Sequence, residues 1–203
     1  MTISGTSYHQ AVSYSRARMS GHALDWANQP NPYKSYPGVP RIALPRSMEF
    51  YGEEPQVRPA PDDPSVSRNP GASAPVRRSA LEQILSLGYA VTQRRRTPAG
   101  SIEMRSVPSA GALYPCELYL VAHNVPNLED GVFHYAPADH VLEVLSTRGP
   151  HASPGAHPGP RTPTAGDPVA GFIISTIFFR SAWKYRARSF RYHLLDSGHL
   201  CGN

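Results

Sequence analysis

The chain has 203 residues, of which 40% are hydrophobic, 22 are proline and 16 are glycine. This length allows one globular domain with an extension and argues against two full domains. The formal net charge of +5 is compatible with nucleic acid, acidic lipid or a phosphorylated cofactor, so the charge alone selects none of them. The two cysteines, Cys116 and Cys201, form no CxxC pair, which argues against a disulfide framework and a cysteine-rich zinc site.

The sequence shows no segment typical of membrane insertion or secretion. The N-terminus lacks the basic start and apolar run of a secretory signal, and the longest apolar stretch, residues 169–179, is too short to span a bilayer. We therefore expect a cytoplasmic protein with no membrane partner.

Residues 1–75 are rich in proline and turn-forming residues, which predicts an extended arm without a core of its own. Its aromatic residues favour attachment to a neighbouring body over full disorder; they are Tyr8, Tyr14, Trp26, Tyr33 and Tyr36. Residues 76–203 then carry the periodic patterns of a folded domain.

In that domain, Ser79 and Glu82 have the spacing of a capping box, and the apolar residues that follow predict a short amphipathic helix. A basic, turn-rich stretch comes next, followed by a strand over residues 117–122. Residues 131–135 and 140–145 flank a turn-like sequence and predict a β-hairpin. The sequence between residues 149 and 168 is dense in proline, glycine and histidine and predicts an exposed loop.

The last third of the domain predicts a strand that leads into a helix near Arg180. Residues 171–179 are β-branched and aromatic, as in a buried strand. The following apolar residues recur at helical spacing on one face; they are Trp183, Ala187, Phe190 and Leu194.

Two runs offer chemistry. Small residues between Arg105 and Pro115 let backbone amides approach a flat ring or a polar edge, and Ser109 adds a hydroxyl; as spacing alone, this is also an ordinary loop. In the second run, Lys184 lies beside Tyr185 and near arginines. Like charges and burial favour the neutral amine, which can accept a proton, although a solvated basic helix face has the same pattern.

Taken together, these runs resemble the SagB-type dehydrogenases, a family of nitroreductase-like flavoproteins. The resemblance is carried by PSAGALYP followed by ELYLVAH, by GVFHYAPADHVLEVL and by IFFRSAWKYRARSFRYHLLDSGH. The arm contributes weaker matches in LDW, NQP, YKSYP and ALPR. The motifs are specific as a set and cover most of the chain.

The resemblance implies an α+β, nitroreductase-like fold with an antiparallel-rich central sheet flanked by helices. It also implies a homodimer with FMN at the subunit boundary. Relatives oxidise thiazolines or oxazolines, which a cyclodehydratase has formed in a precursor peptide, to aromatic azoles. Lys184 and Tyr185 match the lysine-tyrosine pair associated with removal of the ring proton, while the flavin accepts a hydride and is reoxidised by oxygen.

The same resemblance implies that the loop lines the flavin ring through Pro108, Ser109, Ala110, Gly111 and Leu113, with Arg105 as a polar contact. Relatives place an Arg-x-Ser-x-Arg motif early in the domain to bind phosphate, whereas this chain has Arg77-Arg78-Ser79 without the second arginine. Arg77, Arg78 or the cluster at residues 94–96 are therefore candidates for the phosphate, and a solvated basic loop is the alternative.

Family members continue well past the GHL segment, so we expect an incomplete fold that leaves the apolar face of the last helix and a sheet edge uncovered. The alternative function is accordingly a truncated, non-catalytic flavin-fold protein or a half-site that needs a partner chain. A nucleic-acid-binding module is the weakest alternative, since it rests only on charge. His193, Asp196 and His199 provide too few well-placed ligands to predict a metal site.

Overall fold

The structure is a computed structural model that describes residues 4–15, 21–45, 76–97, 100–147 and 169–203. Its helices are α1 (Gly5–Val12), α2 (Arg78–Tyr89), α3 (Phe178–Tyr185) and α4 (Ser189–Gly202). Its strands are β1 (Arg41–Ala43), β2 (Val91–Thr97), β3 (Gly100–Arg105), β4 (Cys116–His123), β5 (Gly131–Ala136), β6 (Val141–Ser146) and β7 (Val169–Thr176). None of the helices in these ranges is both long and apolar enough to cross a membrane.

Five strands form a sheet in the order β1-β6-β5-β4-β7, and every neighbouring pair is antiparallel. The predicted strand over residues 117–122 is β4, and the predicted hairpin is β5 and β6. Both predictions are confirmed. With α2 and α4 packed on its core residues, this sheet gives the α+β architecture that the sequence implied.

The helix predicted after Ser79 is α2, and its core contact follows from helical spacing. Leu81, Leu85 and Tyr89 recur every four residues and are all buried, so they lie on one face against the sheet. The predicted capping box is wrong. The helix begins one residue earlier, at Arg78, and the Glu82 carboxylate accepts from Arg78 Nε at 2.8 Å instead of capping the N-terminus.

The basic stretch before β4 forms a β-hairpin and not the turn-rich connection that the sequence predicted. Strands β2 and β3 pair as a separate two-stranded sheet, with Arg94 opposite Glu103. An ion pair of 2.6 Å joins Arg94 Nε to the Glu103 carboxylate. Cross-strand pairing of opposite charges stabilises this hairpin despite its many arginines.

Strand β7 exists as predicted, but its predicted burial is wrong. It occupies an edge of the five-stranded sheet, and Ile173 is 54% exposed while Ala170 and Ile174 pack against the core. Successive side chains of a strand point to opposite faces of the sheet, and only the face of β7 that carries Ala170 and Ile174 packs against the core. The pattern of apolar residues therefore identified a strand without identifying its position in the sheet.

The single helix predicted for the last segment is two helices. Arg186 has φ of +49° and ψ of −125°, which is incompatible with a continuous α-helix, and a short 3-10 turn follows before α4 begins at Ser189. The residues of the predicted apolar face also do not form one buried surface, because Phe190 and Leu194 are 52% and 62% exposed. The helix α4 instead buries Ser189, His193, Asp196 and Leu200.

The arm contacts the domain through several of its described residues. Strand β1 pairs with β6 and so adds an edge strand to the sheet. Tyr8 donates to the carbonyl of Ala187 at 2.9 Å, and the hydroxyls of Tyr36 and Tyr119 lie 3.0 Å apart. The prediction of a loop over residues 149–168, like the middle of the arm, lies outside the described residues.

A buried ionic cluster joins the sheet to α3. His134 bridges two carboxylates, since its Nε2 lies 2.9 Å from Glu117 and its Nδ1 lies 2.9 Å from Glu143. Arg180 forms an ion pair with Glu117, and Arg41 forms one of 2.8 Å with Glu143. Burial makes charged groups costly unless each is paired, so this cluster fixes how α3 lies against β4.

Candidate functional site

The main candidate is a cleft of about 750 Å³ between the arm, the β2–β3 hairpin, the turn before β4 and helix α3. Its volume lies within the range of small-molecule and cofactor sites. Most of its walls are aromatic, apolar or backbone. The lining includes Leu24, Trp26, Pro30, Pro32 and Tyr33 of the arm, Gly100, Ser101, Ile102 and Glu103 of β3, Gly111, Ala112, Leu113 and Tyr114 of the turn, and Trp183 and Lys184 of α3.

The glycine-containing turn meets the lysine-tyrosine pair at this cleft. Gly111 has φ of +65°, and a Cβ built on it would lie 2.7 Å from Tyr185 Oη and 2.9 Å from Lys184 Nζ. Such a contact is closer than real Cβ atoms show, so only glycine lets both side-chain ends approach the turn. The two runs that sequence analysis singled out are therefore in direct contact.

Of the residues predicted to line a flavin ring, Gly111 and Leu113 line the cleft. Ser109 and Ala110 instead face α4: Ser109 Oγ donates to Asp196 Oδ2 at 2.6 Å, and the Ala110 amide lies 3.4 Å from Asp196 Oδ1. Pro108 is exposed and is not part of the cleft lining. Flavin contact by Pro108, Ser109 and Ala110 stays a prediction.

Arg105 lies buried among three tyrosine rings. Its guanidinium carbon is 4.5 Å from the ring centre of Tyr89, 4.7 Å from that of Tyr114 and 5.2 Å from that of Tyr33. One nitrogen, NH2, donates to the carbonyl of Pro32 at 3.0 Å, whereas Nε and NH1 are buried and have no hydrogen-bond partner among the described residues. Two unpaired donors beside Tyr33 and Tyr114, which both line the cleft, fit a ligand with polar edge atoms.

The candidate phosphate ligands do not gather at the cleft. Arg77 is exposed, and Arg78 pairs with Glu82 and donates to the carbonyl of Asn127 at 2.8 Å. Neither residue is part of the cleft lining. In the basic cluster, Arg94 is paired with Glu103, which does line the cleft. Phosphate binding by Arg77 or Arg78 stays a prediction.

Burial raises the proton affinities of Tyr185, beside Lys184, and of Tyr33 in the cleft lining. It raises the pKa of Tyr185 above its ordinary value, with the nearby Tyr14 and Asp196 adding to the effect. Burial also raises the pKa of Tyr33, whose hydroxyl donates to the Glu103 carboxylate. Both hydroxyls consequently keep their protons at neutral pH and can act as hydrogen-bond donors. Lys184 Nζ forms no hydrogen bond or ion pair with any residue in the described ranges.

Sequence analysis missed several residues that shape the cleft. Trp26 and Trp183 pack edge to face with ring centres 5.3 Å apart, and both line the cleft with Tyr33 and Glu103. The aromatic residues of the arm were a signal for attachment, but nothing in their spacing indicated a shared cavity. Asp196 was considered only as a metal ligand, whereas its carboxyl binds the turn. In the described ranges no group of three or more His, Cys, Asp or Glu side chains is placed to hold a metal ion.

Three curated proteins are similar in sequence. The microcin B17-processing protein McbC of Escherichia coli is 32% identical over 108 residues, which cover 51% of this chain and 39% of McbC. The trifolitoxin-processing protein TfxB of Rhizobium leguminosarum bv. trifolii is 34% identical over 49% of this chain and 28% of its own length. The candidate nitroreductase MJ1384 of Methanocaldococcus jannaschii is 32% identical over 64% of this chain and 62% of its own length.

The chain is thus similar to nitroreductase-like proteins of the SagB type. A solved structure, a candidate nitroreductase from Anabaena variabilis, shares the fold with a TM-score of 0.63 and 24% identity over 97% of this chain and 36% of that one. No family model matches the chain. The chain spans between 28% and 62% of the lengths of these curated relatives.

Nitroreductase-like proteins generally use a flavin, and part of the cleft of this chain fits one. A glycine backbone, Leu113 and aromatic walls suit a flat ring system, whereas Arg105 is buried and is not part of the cleft lining. The charged residues of the lining are Lys184 and Glu103. The cleft therefore fits the ring portion of a flavin better than its phosphate.

Proposed function

We propose that the chain is a cytoplasmic, FMN-dependent oxidoreductase that oxidises azoline rings in peptides. The single observation that carries this proposal is the contact between the turn at Gly111 and the side-chain ends of Lys184 and Tyr185, beside a cleft of suitable size. Two similar proteins are named for processing microcin B17 and trifolitoxin, which supports a peptide as the substrate.

Gly111 and Leu113 line the cleft and would hold the flavin ring through their backbone and small side chains. The family resemblance adds Pro108, Ser109 and Ala110 as proposed contacts of the ring and Arg105 as a proposed donor to its polar edge. The proposed ligands of the FMN phosphate are Arg77 and Arg78. When bound, FMN supplies a hydride acceptor for the carbon next to the one that loses a proton.

Lys184 is the proposed general base. Its side-chain nitrogen lies at the cleft wall, 5.6 Å from the ring centre of Tyr185, without a carboxylate partner in the described ranges. It takes the proton from the carbon alpha to the imine of the bound ring. Tyr185 keeps its proton because burial raises its pKa, so it acts as a hydrogen-bond donor that orients the lysine or the ring.

The first test is flavin binding, followed by turnover of an azoline-containing peptide. Protein purified with ample FMN should be yellow, and titration should quench flavin fluorescence. The Lys184→Ala variant should retain FMN and lose turnover by about 100-fold or more, as is typical for removing a general base. Absence of flavin absorbance and of FMN affinity in the wild-type chain would exclude catalysis by this chain alone.

Arg186→Ala is the matched control for the loss of positive charge. Arg186 is exposed, lies two residues from Lys184 and does not line the cleft. We expect this variant to keep both FMN binding and most of the turnover. Equal activity in Lys184→Ala and wild type, with Arg186→Ala as reference, would refute the role of the base.

The exposed apolar side chains support association with a second chain. They lie on β7, α3 and α4, and each is at least 36% exposed; they are Phe172, Ile173, Phe178, Phe179, Phe190, Leu194 and Leu195. Contiguous exposed apolar surface is typical of an interface. We infer a homodimer, with a cyclodehydratase and a precursor peptide as further partners.

The second candidate is a non-catalytic half-site whose exposed surface is covered by a different polypeptide. Light scattering of the purified chain distinguishes the two, since a homodimer should have twice the chain mass of 22.2 kDa. A stable monomer with sharp thermal unfolding would argue against both forms of association.

A further inference from the structure

The turn before β4 has an unusual backbone. Gly111, Ala112 and Tyr114 have φ values of +65°, +54° and +45°. For a residue other than glycine, this left-handed conformation costs on the order of 1 to 3 kcal/mol and persists only where the surroundings enforce it. Ala112 and Tyr114 therefore require fixed contacts that hold the turn in this shape.

One carboxyl group supplies contacts at the start of the turn. Asp196 Oδ2 accepts from Ser109 Oγ at 2.6 Å, and Asp196 Oδ1 accepts from the Ala110 amide at 3.4 Å. Ser109 Oγ in turn accepts from the Tyr114 amide at 2.9 Å. A chain of hydrogen bonds thus runs from α4 through one hydroxyl to both ends of the turn. Asp196 is only 6% exposed, which shields these bonds from competition by water.

The other face of the same turn contacts the candidate base. Gly111 lies at its centre, where the ends of Lys184 and Tyr185 leave no space for a Cβ. A shift of the turn by a few tenths of an ångström would therefore change the position of both side chains. Helix α4 contacts this turn through Asp196 and packs against α3, which carries Lys184 and Tyr185.

We infer that Asp196 is a positioning residue of the flavin site: its carboxyl fixes the turn from Ser109 to Tyr114 and thereby sets the cleft wall against Lys184. This inference rests on the proposed function for the identity of the ligand. Asp196 touches neither the cleft nor the proposed substrate, and it acts through Ser109 and the Ala110 amide.

The anchoring does not require a negative charge. A protonated Asp196 can donate from Oδ2 to the second lone pair of Ser109 Oγ and still accept from the Ala110 amide. Burial favours this neutral form and raises the pKa of Asp196, while Ser109 and the Ala110 amide oppose the rise. The other titratable groups around it are His193 and His199 on α4, Cys116 on β4 and Tyr185 on α3. Asparagine has the same donor and acceptor arrangement as the neutral acid, so it should replace Asp196.

The experiment compares Asp196→Ala with Asp196→Asn and with Leu200→Ala. Leu200 is buried on the same helix and belongs to the hydrophobic core, so its truncation destabilises α4 without touching the turn. Hydrogen exchange of the segment 109–114 is measured first, in protein without flavin. FMN affinity is then measured by fluorescence quenching at a temperature where all three variants are folded.

We expect faster exchange in the segment 109–114 for Asp196→Ala, and wild-type exchange there for Asp196→Asn and Leu200→Ala. FMN affinity should fall by about tenfold in Asp196→Ala, the effect of one lost buried hydrogen-bond partner, and by less than about threefold in Asp196→Asn. Unchanged exchange in Asp196→Ala overturns the inference. So does an Asp196→Asn variant as defective as Asp196→Ala, or an unchanged FMN affinity where exchange has increased.

Two further outcomes are separated by this design. If Asp196→Ala does not fold, Ser109→Ala removes the same link, and it should increase exchange at the Tyr114 amide; protection equal to wild type overturns the inference. If the wild-type chain binds no FMN, the proposed function and the flavin part of the inference fail together, whereas the exchange data still decide whether Asp196 fixes the turn.

Discussion

Replacing Gly111 by alanine introduces a methyl group at the contact between the turn and the proposed base. At φ of +65° the backbone of an alanine is less stable by about 1 to 2 kcal/mol, which lowers the melting temperature by about 2 to 8 °C for a chain of this size. Gly38→Ala is the matched control, because Gly38 has φ of +79° and a Cβ there would meet nothing within 4 Å.

The two variants should differ in function. Ordinary contact begins at 3.4 Å, whereas the new Cβ would lie 2.7 Å from Tyr185 Oη and 2.9 Å from Lys184 Nζ. Both side-chain ends must move by about half an ångström or more, and displacements of about 1 Å at a reacting group reduce rates by up to about 100-fold. We expect Gly111→Ala to lose about tenfold or more of the azoline turnover measured with FMN present.

Thermal unfolding and single-turnover kinetics provide the measurements. Gly38→Ala should show the same loss of stability and wild-type turnover. If Gly111→Ala matches Gly38→Ala in both properties, the close approach of Lys184 and Tyr185 to the turn is wrong, and the catalytic roles derived from it fail.

Three further perturbations test the fold and the carboxyl group of α4. Arg180→Met leaves the buried Glu117 without its arginine and should reduce the free energy of unfolding by about 3 kcal/mol or more; a loss below about 1 kcal/mol in urea titration would contradict the buried pair. Leu85→Ala should destabilise by about 2 to 5 kcal/mol, whereas Leu87→Ala, at a side chain that is 55% exposed, should change stability by about 0.5 kcal/mol or less; similar losses would contradict the orientation of α2. Because burial raises the folded-state pKa of Asp196, its contribution to stability is present below the ordinary aspartate pKa and is lost as pH rises through the folded value, so the melting temperature of wild type relative to Asp196→Asn should fall as pH rises above the ordinary aspartate pKa. A pH-independent difference would contradict the shift.

Local sequence patterns predicted the central part of the fold. The alternation and turn signals around β4, β5 and β6 were sufficient because these antiparallel neighbours in the sheet also follow one another in the sequence. The apolar spacing of α2 was equally informative. The burial of β7 was not, since the residues that would identify an edge strand lie in its neighbours and not in the strand itself.

The candidate site was predictable in its parts and not in its connections. The turn and the lysine-tyrosine pair were found as motifs. More than 70 residues separate Gly111 from Tyr185 in the sequence, and local patterns do not predict contacts over such a separation. The break at Arg186 was hidden, because its positive φ comes from tertiary packing and its residue type gives no signal. Asp196 lay within a histidine-containing segment, where spacing on one helix could not reveal a bond to Ser109 on another element.

Hydrogen bonds from three side chains of the domain attach the arm beside the cleft. Trp183 Nε1 donates to the carbonyl of Asp25 at 2.7 Å, Arg180 Nε to that of Asn31 at 2.9 Å and Arg105 NH2 to that of Pro32 at 3.0 Å. All three acceptors are main-chain atoms, which every amino acid possesses. Substitution of side chains in this part of the arm therefore leaves these three hydrogen bonds in place. The lining of the cleft, and with it the ligand that the cleft accepts, can change while the attachment of the arm to the domain is kept.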